Sequence, residues 1–161
     1  MAKGSPNIIG RIDKADFPKI NLKRIKVKID TGAYTSSFHC CRIEETKERK
    51  LRVVFLDPDD PKYTGKAYLF KRYSKKSVKS SNGESEERFI ISTKIRFHRR
   101  IYRAEFSLTY RREMRYPVLI GRKFLAEHNF VVNPRLRNYL HQKRKTKKLS
   151  AENEIKPTPS D

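Results

Sequence analysis

The sequence predicts an all-β fold, a small barrel or sandwich, and three observations carry that prediction. Ile25-Lys26-Val27-Lys28-Ile29 alternates apolar and basic side chains with period two, the pattern of a strand buried on one face. Four further runs rich in β-branched and aromatic residues follow, at Leu51 to Leu56, Ala67 to Tyr73, Phe89 to Phe97 and Ile101 to Tyr110. Between them lie charged or turn-forming stretches such as Asp57-Pro58-Asp59-Asp60-Pro61 and Ser80-Ser81-Asn82-Gly83, where proline removes backbone donors and Asp or Asn side chains favour local turns. Towards the C-terminus, Tyr116-Pro117-Val118-Leu119-Ile120-Gly121 is a short buried-strand pattern stopped by glycine. Arg122 to His128 then suits one short helix, and Phe130-Val131-Val132 a last strand.

The 161 residues include 39 Lys and Arg against 18 Asp and Glu, a net charge of +21, and 36% hydrophobic residues, enough for one core. Residues 1–140 are expected to form one barrel domain. From His141 the composition turns to Gln-Lys-Arg-Lys-Thr-Lys-Lys and then to a polar stretch with Pro157 and Pro159, so residues 141–161 are expected to be a basic, disordered tail. That tail holds six Lys and Arg and three acids, which leaves +18 on the body and points to an anionic partner. No apolar run approaches the roughly 18 residues of a membrane span, and Met1 to Pro6 lacks the apolar stretch of a secretory signal. The expected address is the cytoplasm, with no membrane partner. Cys40 and Cys41 are adjacent, which disfavours a mutual disulfide, and His39, His98, His128 and His141 are scattered. With no C-x-x-C pair or H-E-x-x-H, neither a metal nor a cofactor is expected.

Ile25 to His39 carries the chemistry. A basic-faced strand runs into Asp30-Thr31-Gly32-Ala33, followed by Tyr34-Thr35-Ser36-Ser37-Phe38-His39. An Asp at a strand end, followed by a hydroxyl residue and a glycine, can be held in a tight turn whose donors fix the carboxylate. Two such turns facing each other would place two carboxylates about 3 Å apart, where they share a proton because both cannot easily ionise. The plain alternative is a β-turn without chemistry, since Asp, Thr and Gly are common turn residues. Far downstream, Val118-Leu119-Ile120-Gly121 supplies an apolar-apolar-glycine element followed by Arg122.

In these blocks the sequence resembles a retropepsin-type aspartic peptidase, and more narrowly the bacterial and archaeal family that carries the label "ATP-dependent zinc protease". The match includes Ile9-Gly10-Arg11, Lys28 to Ala33, Thr35 to His39, Asn82-Gly83-Glu84 with Glu87-Arg88, Met114 to Arg122 and Asn133-Pro134. The resemblance implies a small closed retropepsin-type acid-protease barrel that supplies one catalytic aspartate, with a homodimer assembling the pair. Asp30 would activate water, Thr31 would brace the two loops, Gly32 would permit close backbone approach, and Ala33 would pack beneath. Substrate contacts would fall to Lys28, Thr35, Ser36, His39, Arg88 and Arg122. Tyr34 and Arg11 depart from the family pattern, which often has a basic residue at the first position and an aromatic one at the second. The label's zinc and ATP find no phosphate loop and no ligand cluster here. Members of the family are associated with ligases that add glutamates to a ribosomal protein, so the resemblance implies an acidic, glutamate-rich polypeptide as substrate.

Several residues keep two readings. His39 can orient substrate or bond the loop, or be a partly buried histidine that caps a strand. Arg88, Arg115 and Arg122 can grip carboxylates through their planar forks, or pair with Glu86, Glu87 or Glu113. The lysine-rich stretch Tyr63 to Ser81 can be a flap over the active site or a solvated hairpin. A different class of function also fits the charge: a non-catalytic RNA- or ribosome-binding module, with Phe70-Lys71-Arg72-Tyr73 and Arg96-Phe97-His98-Arg99-Arg100 mixing cations and aromatic rings.

Overall fold

A computed structural model describes residues 4–79, 82–110 and 115–143. Eleven strands and one short α-helix follow in the order β1 (Asn7–Ile9), β2 (Ile12–Phe17), β3 (Leu22–Ile29), β4 (Ser36–Glu45), β5 (Leu51–Phe55), β6 (Ala67–Phe70), β7 (Ser74–Lys79), β8 (Ser85–Phe97), β9 (Arg100–Thr109), β10 (Val118–Ile120), α1 (Arg122–Glu127) and β11 (Phe130–Val132). A 3-10 turn, Pro18–Ile20, links β2 to β3.

Six strands close a barrel in the order β10-β3-β2-β8-β9-β4, and β4 returns to β10. The closing strand β10 is only three residues long. It lies parallel to β3, with Val118 opposite Val27, and antiparallel to β4, with Val118 opposite Phe38. Beyond β4 the sheet continues through β5 to β6, while β7 extends β8 as a hairpin. A separate parallel pair, β1 and β11, sets Ile8 against Val131.

The predicted alternation of β3 is realised: Ile25, Val27 and Ile29 are buried and Lys26 and Lys28 exposed. Phe17, Phe38 and Phe106 fill the interior with ring centroids 4.8 to 5.8 Å apart at steep angles, which keeps ring edges against ring faces. Phe124 of α1 packs with Phe97, Tyr102 and Phe130 in a second aromatic layer.

The chain differs from expectation in four strands. β2 and β4 were not legible because neither alternates. In β2, Asp13 and Asp16 are buried and held by backbone donors, Asp13 by Lys14, Leu140 and His141, and Asp16 by Arg24. In β4, Ser36 to Cys40 are all buried, flanked by β9 and β10. β1 has only three residues, Asn7-Ile8-Ile9, too few to show a period. The run Ala67 to Tyr73 is a strand only to Phe70, as β6 beside β5; the chain bends at Lys71–Tyr73, and Ser74–Lys79, outside every expected run, pairs with β8 as β7. Residues 139–143 make a helical turn, tied to the body where the Leu140 and His141 N–H groups donate to Asp13; residues 144–161 fall outside the described residues. Among the described residues no helix is long and apolar enough to cross a membrane.

Candidate active site

Asp30 sits where β3 ends, and β10 with the start of α1 holds the loop that follows. The Asp30 N–H donates to the Ile120 carbonyl at 2.8 Å, continuing the β3–β10 ladder by one residue. Gly32 N–H donates to Asp30 Oδ1 at 3.1 Å, and Ala33 N–H to the Asp30 carbonyl at 3.2 Å. The turn therefore folds back on its own carboxylate and leaves the second oxygen for other partners.

The far side of the loop is pinned just as closely. Arg122 N–H donates to the Ala33 carbonyl at 2.8 Å and Lys123 N–H to the Tyr34 carbonyl at 3.0 Å. The Arg122 guanidinium reaches back to the Thr31 carbonyl at 3.0 Å and lies 5.9 Å from the centre of the Tyr34 ring. Gly121 makes this approach possible: a Cβ there would stand 2.6 Å from the Tyr34 carbonyl oxygen and 2.8 Å from that of Thr35. Its N–H donates to Ser36 Oγ at 3.0 Å.

The other expected site residues divide. Thr31 and Gly32 are exposed, Asp30 and Ala33 half-buried, and Lys28 points outward from β3. Thr35 lines a cavity of about 460 Å³ between β8, β9 and α1. Ser36, expected at the substrate, is buried with its hydroxyl engaged by Gly121, so it braces the loop. His39 is 4% exposed, with Nε2 3.7 Å from Asp57 Oδ2 and its ring beside Tyr110. Arg88 pairs with Glu86 at 3.4 Å and lines a different cavity, with Cys41 and Tyr110. Arg122 forms no carboxylate pair among the described residues; it holds the loop instead. The Tyr34–Arg122 contact was not legible, because only the fold brings positions 34 and 122 together.

Alternative chemistries are disfavoured by the same geometry. His39 and Cys40 are neighbours in sequence, yet Cys40 is fully buried and burial pushes its thiol well above the usual range, so Cys40 is not poised as a thiolate nucleophile. Among the described residues no three His, Cys, Asp or Glu side chains gather around a point, so they do not fit a zinc site.

A family model described as retropepsin-like aspartic endopeptidase RimB matches residues 8–144. The chain belongs to the RimB-like family. The matched span runs from β1 through the Asp30 loop and β10 to the final helical turn. A protein from Shewanella pealeana named "Probable alpha-L-glutamate ligase" is 32% identical over 127 residues, covering 77% of this chain and 28% of that protein. One from Desulfotalea psychrophila with the same name is 28% identical over 136 residues, 80% of this chain and 28% of its own length. The chain thus spans little more than a quarter of these relatives. A crystal structure of a Legionella pneumophila protein of unknown function is 26% identical, with a TM-score of 0.67, and covers 84% of this chain and 99% of that one.

Proposed function

We propose that this RimB-like chain is an aspartic peptidase that works as a homodimer and hydrolyses glutamate-rich polypeptide. The observation that carries the reading is the Asp30 loop. Its carboxylate accepts the Gly32 N–H on one side, while exposed Thr31, Gly32 and the 60% exposed Tyr34 leave it open on the other. A second copy placed across that open face would bring two Asp30 carboxylates together, which is the arrangement in which one ionises and the other holds the proton.

In that site the ionised Asp30 takes a proton from a bound water, and the resulting hydroxide attacks the peptide carbonyl. The protonated Asp30 of the second copy donates to the carbonyl oxygen as the tetrahedral intermediate forms. Collapse of the intermediate breaks the C–N bond, and a proton passes to the leaving amine. No covalent acyl-enzyme arises, because water is the nucleophile. Arg122 keeps the loop in register by holding the Thr31 carbonyl.

Two observations support an acidic substrate. The body carries +18, a field that raises the local concentration of a polyanion. Relatives named as α-L-glutamate ligases contain a domain similar to this chain within a much longer protein, so the two domains would share a glutamate polymer as product and substrate. Incubation with a synthetic α-linked oligoglutamate, followed by mass spectrometry, should give shortened peptides from the native protein and none from Asp30→Asn. Equal products from both would overturn the role of Asp30.

A further inference from the structure

The β7–β8 ladder stops at Ser74 opposite Ile90, and beyond that point the two strands part. The chain of β7 traced back through Lys71–Tyr73 leads to β6, which pairs with β5, while β8 runs on to meet β2 at Arg96 opposite Asp16. A wedge of about 560 Å³ opens between them. Tyr68 to Phe70 of β6 line one wall and Ser92 to Lys94 of β8 the other. Three consecutive strand residues can all reach one cavity only at the strand's edge, since alternate side chains point to opposite faces. Among the described residues neither β6 nor residues 91–95 of β8 has a ladder partner on this side. Thr93 is 6% exposed, and its buried hydroxyl has no hydrogen-bond partner.

The wedge is also cationic without compensation. Lys94 stands directly opposite Arg103 in the β8–β9 ladder, a like-charge pair that repels unless an anion lies between. Lys19 lines the same space from the 3-10 turn, and no carboxylate lines it. Glu105, the next acid on that face of β9, is already paired with Lys123 at 3.5 Å. Through Ser92 and Arg103 the wedge adjoins the cavity lined by Thr35 and Ser36, where the Asp30 loop enters β4.

We infer that this wedge is a docking groove for an extended acidic polypeptide, which adds as a strand to the open edges and sets its carboxylates against Lys19, Lys94 and Arg103. The inference rests on the acidic substrate proposed above and places the part of the tail beyond the bond being cut. Backbone pairing at open edges supplies affinity without regard to side chain, and the three cations supply the preference for glutamate.

The test uses the full chain carrying Asp30→Asn, so that peptide is not consumed, and a fluorescent oligoglutamate read by anisotropy. Adding Lys94→Ala and Arg103→Ala should weaken binding about tenfold, each lost contact contributing a few-fold. Lys47→Ala with Lys50→Ala, which removes the same charge from the β4–β5 turn, should change it less than twofold. Equal losses in both would reduce the effect to net charge and overturn the groove. Hydrogen exchange at Tyr68 to Phe70 and Ser92 to Lys94 should slow on binding; unchanged exchange contradicts strand addition. A single-stranded RNA of equal length that binds as tightly, and loses as much in the wedge variant, would make the groove a nucleic-acid site instead. Hydrolysis by the native protein with binding intact in the wedge variant sinks the groove alone. Binding that needs the wedge, with no hydrolysis by the native protein, sinks the peptidase reading alone.

Discussion

Gly121 decides whether the Asp30 loop can close. A methyl group there meets the carbonyls of Tyr34 and Thr35, both backbone atoms with no rotamer to escape into. Gly121→Ala should therefore cost about 1–3 kcal/mol by overpacking, seen as a lower urea midpoint, and should lower any peptidase activity more than stability alone explains. An unchanged midpoint would contradict the close approach. Asp13 makes a second prediction. Burial raises its pKa, against the opposing pull of backbone donors from Leu140, Lys14 and His141. A carboxyl whose folded pKa is raised binds protons more readily folded than unfolded. Its contribution to stability is complete below the unfolded value of 3.8 and is lost as pH rises through the folded one. The stability gap between native protein and Asp13→Asn should thus move in favour of the native protein as denaturation is measured at pH 7, then 5, then 4; movement the other way would contradict it. At this scale the sequence was informative where chemistry is local. Asp30-Thr31-Gly32-Ala33 announces a tight turn, but the task of Ser36 depends on Gly121, 85 positions away.

β10 does more than its three residues suggest. It fills the gap between β3 and β4, hands the ladder to the Asp30 N–H, and ends on Gly121, so loop and barrel closure are one structure. Ser36→Ala removes the acceptor for the Gly121 N–H at a buried point and should cost about 1–3 kcal/mol in thermal or urea unfolding, since the donor is left unpaired. A change within error would mean that the hydroxyl does not tie β4 to β10. β3 could be read ahead because it has one buried face and shows it as periodicity, and β8 and β9 because they are rich in β-branched and aromatic residues. Those that could not, β2 and β4, are buried on both sides and carry polar residues whose partners come from distant segments. The break at Lys71–Tyr73 was equally hidden. β7 gave no sign of a strand because Ser74 to Lys79 is lysine- and serine-rich with one β-branched residue, and the wedge opens where the chain bends between β6 and β7.

Across the whole molecule, charge and exposure carry the functional reading. A +18 body draws anions of any kind, and only the built features distinguish them: the aspartate loop, which in the proposed function does the cutting, and the cationic wedge with open strand edges, which in the inferred groove holds an extended chain. The barrel and the family were legible from motif order, whereas the wedge was not, because only the fold brings Lys19 and Tyr68 to Phe70 beside Lys94 and Arg103. The central claim is that one chain provides half of a catalytic pair. Native protein and Asp30→Asn can be unfolded together in equal amounts, refolded, and assayed on oligoglutamate at fixed total protein. If two Asp30 carboxylates form each site, random pairing leaves about a quarter of the native activity, because mixed dimers are inactive. Half of the native activity would mean that each chain works alone, and would contradict the account.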